Sequence, residues 1–167
     1  MNIDPFFAWL ESTALSQWIV GSPTLYAFPG ILALHAIGMG FAVGIGVAVD
    51  LRVLGVGPGI PLAEMRRFLP VFWFGFWLNA ASGLLLLIGY PTKALTNPVF
   101  YLKLLLIAVA VTMLLRIGRR AWRDGGAAAA STPALKRMAV ASLVCWAGAI
   151  AAGRFLAYTY TRLTVSQ

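Results

Sequence analysis

Residues 24–49 read TLYAFPGILALHAIGMGFAVGIGVAV, a run without Asp, Glu, Lys or Arg. A helix needs about 20 mostly apolar residues to cross the hydrocarbon core of a bilayer. This run is therefore long enough for one transmembrane helix, and three further mostly apolar stretches, with few charged residues, follow at residues 68–90, 97–115 and 135–160. The sequence predicts an all-α integral membrane protein, a four-helix transmembrane bundle that forms a single membrane domain over residues 1–167.

The composition supports this class. Of the 167 residues, 60% are hydrophobic and 11% are charged, and the mean hydropathy is +0.85. Soluble domains contain about 25% charged residues, so a soluble enzyme and a disordered regulator are excluded. The net charge of +8 does not indicate nucleic acid as a partner, because the basic residues lie in loops between apolar runs. The expected partner is the lipid bilayer.

Two segments outside the spans have their own signatures. Residues 1–22 mix large apolar side chains with Asp4 and Glu11 and end at a Gly-Ser-Pro break. Such a mixture predicts an interfacial amphipathic helix. A signal peptide is not expected, because acidic residues stand where such a peptide carries positive charge. Residues 124–133, rich in Gly and Ala, predict a flexible linker.

The basic residues also predict the orientation, because cytoplasmic loops carry an excess of Lys and Arg. With the N-terminus outside, nine of the thirteen basic residues fall on the inner side and four on the outer side. The nine are Arg52, Arg66, Arg67, Arg116, Arg119, Arg120, Arg123, Lys136 and Arg137. We therefore expect a multi-pass protein of the bacterial inner membrane, with both termini on the periplasmic side.

Strongly polar side chains inside the spans are few, and all lie in the outer half or at mid-depth. At a rise of 1.5 Å per residue, His35 and Asn79 both lie about 15 Å below the outer boundary. The candidates are His35, Asn79, Ser82, Lys103 and Arg154. Ionisable groups inside a membrane usually face the bundle interior and mark functional sites. We expect these side chains to form a polar cluster at the bundle centre.

The single histidine, His35, has three interpretations. It can be a structural residue hydrogen-bonded across the bundle to Asn79, a haem or metal ligand, or part of a proton relay. Small residues on its helical face, Gly38, Ala42 and Gly46, favour either a closely approaching helix or a slot for a planar cofactor. Gly40 and Gly44 add a GxxxG spacing beside that face.

The two cationic candidates need partners. Lys103 can extend its ammonium group outward to the interface or direct it inward at an anionic group. Arg154 keeps its charge at any ordinary pH, and no Asp or Glu is expected within the spans. Its partner is then a set of backbone carbonyls, a lipid phosphate or a bound anion. On the inner side, five charged residues are interpreted as interfacial anchors and salt bridges. They are Asp50 and Arg52 at the end of the first span and Glu64, Arg66 and Arg67 at the start of the second.

The number of metal ligands limits the cofactor. One histidine cannot supply both axial ligands of a bis-histidine haem within one chain, although a homodimer would supply a second. Met39 and Met113 are the methionines that lie well inside spans. The set of Cys, His and carboxylates is too small for a zinc site. The aromatic cluster at residues 72–77 is interpreted as an aromatic belt or a lipid- or partner-facing surface.

Two short motifs carry a resemblance to a known group. One is Leu34-His35 in the first span, which ends in Asp50-Leu-Arg-Val-Leu-Gly55; the other is Asn97-Pro-Val-Phe-Tyr-Leu-Lys103. The second motif looks like small bacterial membrane proteins of the HemJ type, which are protoporphyrinogen oxidases, and like the copper-resistance protein D family. The stretch 146–158 resembles the last helix of their uncharacterised relatives. In the HemJ type, a first-helix histidine and a third-helix lysine are linked to haem binding, which implies these roles for His35 and Lys103.

The leading hypothesis is a pocket for a planar anionic ligand, first of all b-type haem, used for redox chemistry on a tetrapyrrole or quinone. His35 would be the axial metal ligand, Asn79 would orient its imidazole, and Lys103 and Arg154 would pair with the propionates. The alternative is a structural accessory subunit of a larger membrane complex. Transport of copper or a small solute ranks third. The sequence leaves open whether the chain is an enzyme.

Overall fold

A computed structural model describes residues 4–123 and 132–163, and these segments are all-α. In chain order the helices are α1 (Asp4–Glu11), α2 (Ala14–Gly21), α3 (Phe28–Val53), a 3₁₀ segment (Leu62–Phe68), α4 (Leu69–Gly89), α5 (Pro91–Leu95), α6 (Pro98–Arg123) and α7 (Pro133–Leu163). No β-strand occurs within the described segments. The predicted fold class is confirmed.

Four helices are long and apolar enough to cross a membrane: α3, α4 together with the 3₁₀ segment, α6 and α7. Each provides a stretch of 24 to 28 residues. Much of their apolar surface faces outward, and Trp77 and Leu105 are examples. Exposed apolar side chains on long helices are what a lipid-facing surface requires. The chain is a multi-pass integral membrane protein.

Two helix starts follow from proline, which is tolerated in the first turn of a helix. Pro29 lies in the first turn of α3, so the helix begins at Phe28 and not at residue 24, where the predicted span started. Pro70 lies in the first turn of α4. At the start of α6, the side-chain oxygen of Asn97 accepts a hydrogen bond from the Val99 backbone N–H. This caps one of the free backbone donors of the first turn.

Some predicted boundaries differ from the structure. Helix α6 continues past residue 115 to Arg123, because Arg116, Arg119 and Arg120 stay exposed while Ile117 and Ala121 are buried. Helix α7 begins at Pro133, so the predicted linker 124–133 includes the first residue of that helix. The rest of that linker, at 124–131, lies outside the described residues.

The N-terminal segment forms two helices, where one had been predicted. Between α1 and α2, the hydroxyl groups of Ser12 and Thr13 donate to backbone carbonyls of α1, and the Thr13 hydroxyl also accepts from the Ser16 backbone N–H. Such local bonds are how these residues interrupt a helix. Ile19 of α2 is fully buried and packs on Gly89, and the Thr92 hydroxyl of α5 donates to Glu11. This helical hairpin covers one end of the bundle, here called the hairpin end. The opposite end, with the α3–α4 loop and the arginines of α6, is the basic end.

Consecutive long helices are antiparallel neighbours: α3 packs on α4, α6 packs on α7, and α7 joins the two pairs through α3. Helices α4 and α6 scarcely touch. The apolar core lies in the half of the bundle near the basic end and includes Val49, Met65, Phe72, Leu114, Ile117, Leu135 and Trp146. The two helix pairs are therefore joined firmly in the basic half, through side chains of α3, the 3₁₀ segment, α4, α6 and α7.

The closest helix approach is between α3 and α4. A Cβ atom added at Gly75 would lie 2.5 Å from Cβ of Phe41 and 2.9 Å from the carbonyl oxygen of Gly38. One added at Gly38 would lie 2.6 Å from the backbone nitrogen of Asn79. Only glycine permits this distance between backbones. The predicted role of Gly38 in a close helix approach is confirmed.

Two other predicted contact surfaces, the GxxxG pair and the aromatic cluster at residues 72–77, lie wholly or partly on the outside of the bundle. A Cβ atom added at Gly40 or Gly44 would meet nothing within 4 Å, so the GxxxG pair faces outward. Within the aromatic cluster, Phe72 is fully buried against Trp146, whereas Phe74 and Trp77 are exposed. A surface belt therefore does not describe Phe72, which belongs to the core.

The glycine contact predicts a mutational asymmetry. Gly75→Ala should lower the free energy of unfolding by about 1–3 kcal/mol, because α3 and α4 must move apart to admit the methyl group. Gly44→Ala is the matched control, since it adds the same group to open space on α3. Thermal unfolding in detergent, followed by circular dichroism, measures both. Equal stabilities for the two variants would show that the α3–α4 contact is wrong.

Candidate functional site

Four of the five predicted polar residues meet between α3, α4 and α6. Nδ1 of His35 lies 3.0 Å from the backbone oxygen of Asn79 and 3.2 Å from the hydroxyl oxygen of Ser82. The Lys103 ammonium nitrogen lies 3.4 Å from Nε2 of His35. We refer to His35, Asn79, Ser82 and Lys103 as the histidine cluster. The expected bridge from His35 to Asn79 is present.

The hydrogen-bond partners determine which ring nitrogen of His35 carries the proton. A backbone carbonyl can only accept, so Nδ1 must donate to Asn79. The Ser82 hydroxyl donates to the Leu78 carbonyl at 2.6 Å and can still accept from Nδ1. The Asn79 amide nitrogen donates to the His35 backbone oxygen at 2.7 Å, and its distance of 3.3 Å from Nδ1 is longer than the 3.0 Å between Nδ1 and the Asn79 carbonyl oxygen. A neutral imidazole therefore carries its hydrogen on Nδ1 and its lone pair on Nε2.

That lone pair faces the Lys103 side chain, which is half-buried between α6 and the other helices. An ammonium group can only donate, so Lys103 donates to Nε2 of His35. Within the described residues, no carboxylate forms an ion pair with Lys103. The cluster therefore combines a basic lone pair and a positive charge in an apolar region, an arrangement that attracts an anionic or Lewis-acidic ligand.

Two glycines that sequence reasoning missed provide space for these side chains. A Cβ atom added at Gly83 would lie 3.0 Å from Cε1 of His35, so this position on α4 admits the imidazole ring. On α7, Gly153 lies beside the Lys103 stem, where an added Cβ would be 3.7 Å from Cε. Gly83 lies four residues after Asn79, on the same helical face, and that spacing was the available signal.

Arg154 does not join the cluster. It is exposed, which contradicts the expectation that it faces the bundle centre. Its neighbour Gly153 faces Lys103, and consecutive helical residues point about 100° apart. A role of Arg154 in binding an anion stays a prediction.

A small cavity borders the histidine cluster. It has a volume of about 20 Å³, and its lining includes Met39, Phe76, Asn79, Lys103, Ile107 and Trp146. This is room for about one water molecule. The cavity connects the histidine cluster in the hairpin half with Trp146, which belongs to the core of the basic half.

The interpretation of Asp50 as an interfacial anchor is wrong. Its side chain is 0% exposed, and neither carboxyl oxygen has a hydrogen-bond partner within normal geometry, although Ser142 lies beside it. Arg52 instead donates to the carbonyl oxygens of Pro58, at 3.2 Å, and Ile60. Helix α3 continues to Val53, so Asp50 lies within the helix and not at its end. The expected salt bridge in the 3₁₀ segment is present between Glu64 and Arg67.

Neither a cluster of metal-binding side chains among the described residues nor a similar known protein identifies a function. Among the described residues, no three His, Cys, Asp or Glu side chains come together in a way that could hold a metal ion. Comparison with protein-family models, with curated proteins and with solved structures finds no match. The resemblance to the HemJ and copper-resistance groups thus stays a prediction, and the functional argument depends on the geometry of the cluster.

The cluster predicts the effect of removing the amide. Asn79→Leu keeps the side-chain size and removes the hydrogen bond to the His35 backbone oxygen, so the free energy of unfolding should fall by about 1 kcal/mol. Thr112→Val is the control, because Thr112 is exposed and bonds only within its own helix, to Ala108. Unfolding titrations in mixed micelles compare the two variants. A Thr112→Val loss as large as that of Asn79→Leu would show that the interhelical bond contributes nothing.

Proposed function

We propose that this protein binds b-type haem at the histidine cluster, with Nε2 of His35 as the axial ligand. The observation that carries the proposal is the hydrogen bond from Nδ1 of His35 to the Asn79 backbone oxygen at 3.0 Å. Metal-ligating histidines commonly donate their other ring N–H to a carbonyl group, which fixes the tautomer and raises the basicity of the ligating nitrogen. His35 has this arrangement before any ligand binds.

The side chains of the histidine cluster suit haem, but the cavity between the packed helices is too small to hold it. Cofactor pockets usually have volumes of about 300–1,000 Å³, far above the 20 Å³ of the cavity. The Lys103 side chain also stands in front of Nε2. Binding therefore requires that Lys103 swings away and that α4 and α6 move apart in the hairpin half. Those two helices scarcely touch, so few direct contacts between them oppose this movement.

The remaining residues of the proposal act on charge and orientation. Lys103, released from His35, would pair with a propionate, and its long flexible stem allows this movement. Arg154, exposed near the same end of α7, would be available to a second propionate. A bound haem would supply one-electron redox chemistry, with a tetrapyrrole or a quinone as the expected substrate class. Asn79 and Ser82 would hold the imidazole in one orientation.

The proposed location is a bacterial inner membrane, with the hairpin end on the periplasmic side. The excess of Lys and Arg at the basic end supports this orientation. On this topology the histidine cluster lies in the outer half of the bilayer, and a ligand at the cluster would be reached from the outer leaflet.

The experiment is an absorption spectrum of protein purified in detergent from cells supplied with haem. Wild-type protein should show a Soret band, and His35→Ala should lose or shift it, because the only histidine is gone. Thr112→Val is the control for expression and purification of a variant, and it should keep the Soret band. Added imidazole should restore a shifted band in His35→Ala. A colourless wild-type protein would refute the haem proposal.

A second candidate function has one specific observation in its favour. Gly40 and Gly44 leave open space on the outward face of α3, and small residues at this spacing allow another transmembrane helix to approach closely. This favours a structural subunit of a larger complex, or a second copy of this chain. Because that face points away from His35, a homodimer formed there would not bring two histidines to one haem. Stoichiometric partners that co-purify from native membranes, and are lost in Gly44→Leu, would support this role.

A further inference from the structure

We propose that Asp50, with Ser142 and Trp146, forms a buried proton-binding site in the basic half of the bundle. The site is separate from the histidine cluster, because Asp50 lies fifteen residues, or about 22 Å of helix, beyond His35 on α3. It does not depend on haem binding. No cation other than a proton is assigned to it.

Three buried side chains with unpaired polar atoms carry the proposal. Asp50 and Ser142 are both 0% exposed and Trp146 is 3% exposed. Both carboxyl oxygens, the serine hydroxyl and the indole N–H have no hydrogen-bond partner within normal geometry. Most buried polar groups in proteins are hydrogen-bonded, so unpaired groups gathered at one place indicate a site that exchanges protons or ligands.

The helix register brings the three side chains together. A Cβ atom added at Gly46 of α3 would lie 2.7 Å from the indole nitrogen of Trp146 on α7. Four residues further along α3 is Asp50, and four residues earlier on the antiparallel α7 is Ser142, which lies beside the Asp50 carboxyl group. Residues four apart lie on one helical face. The three groups therefore line one stretch of the α3–α7 interface.

The surrounding charges do not neutralise an ionised Asp50. Arg52, on the same helix, donates to the loop carbonyls of Pro58 and Ile60. Lys103 of α6 is half-buried, but it lies at the histidine cluster. The charged residues of the packed elements near the basic end are exposed: Glu64, Arg66 and Arg67 of the 3₁₀ segment, Arg116, Arg119 and Arg120 of α6, and Lys136 and Arg137 of α7. Helix α4 has no titratable residue, and Cys145 of α7 is half-buried.

A carboxylate buried without a cation is unfavourable, and the group takes up a proton to become neutral. A hard metal cation needs about six oxygen ligands, whereas Asp50 and Ser142 offer three. A carboxylic acid matches the available partners better, because it can donate its O–H to the Ser142 hydroxyl that lies beside it. These are the reasons for assigning a proton.

The position of the site suggests which protons it exchanges. Asp50 lies three residues before the end of α3, about 5 Å from the basic end. On the other side, Trp146 lines the cavity that also contacts Lys103 and Asn79. A proton taken up from water at the basic end neutralises the carboxylate, and its release regenerates the carboxylate without any transfer of electrons. The site stands between the basic end and the cavity.

The test uses the full-length protein in lipid vesicles and the hydrophobic carbodiimide DCCD, which reacts with protonated carboxyl groups in apolar surroundings. Peptide mass spectrometry measures the labelled fraction of each carboxyl from about pH 5 to about pH 9. We expect labelling at Asp50, with the exposed Glu11 and Glu64 as unlabelled internal controls. Above the midpoint of the Asp50 titration, labelling should fall about tenfold per pH unit.

The variants and competitors make the result decisive. Asp50→Asn should remove the label, and Ser142→Ala should keep it and move the titration midpoint, because one partner of the acid is lost. Absence of label on wild-type Asp50 at every pH, labelling that does not depend on pH, or protection by sodium chloride would each overturn the proton assignment. A colourless protein that is labelled at Asp50 would refute haem binding and support this site, so the two proposals fail separately.

Discussion

The contact between the backbones of α3 and α4, at Gly38 and Gly75, is the constraint on which the rest of the structure depends. It brings the backbone nitrogen of Asn79 to the position that a Gly38 side chain would occupy. At that distance the carbonyl and amide of Asn79 can both reach His35, one at the ring and one at the backbone. A larger residue at either glycine would separate the helices and break both bonds. Close helix approach and the histidine cluster are thus one feature of the fold.

The two halves of the bundle differ in whether their buried polar groups have hydrogen-bond partners. In the hairpin half, the ring nitrogens of His35 and the side chains of Asn79 and Ser82 all have partners. In the basic half, Asp50, Ser142 and Trp146 are more deeply buried and lack them. Because lipid offers no hydrogen bonds to replace missing ones, the first arrangement stabilises the bundle and fixes a tautomer. The second arrangement, in the basic half, is energetically unfavourable unless a proton is bound to Asp50.

The sequence predicted most of the fold and part of the site. Apolar length located the four spans. The depth calculation placed His35 and Asn79 at one level, and they do meet, with Ser82 beside them. It could not assign Arg154, since the direction of a side chain near a helix end depends on packing against α6. Asp50 was misread because charge near a predicted helix end looks like an anchor, and only the packing of α7 shows that it is buried. Likewise Gly83 and Gly153 acquire meaning only from the side chains that lie against them.

The fold holds His35 with its proton on Nδ1 and its lone pair on Nε2. Nitrogen-15 NMR of histidine-labelled protein in detergent tests this directly, because the chain has a single histidine and every ring signal belongs to it. We expect a protonated Nδ1 and an unprotonated Nε2 near neutral pH in the absence of added haem. The signals of an Nε2–H tautomer, or of a doubly protonated ring, would contradict it.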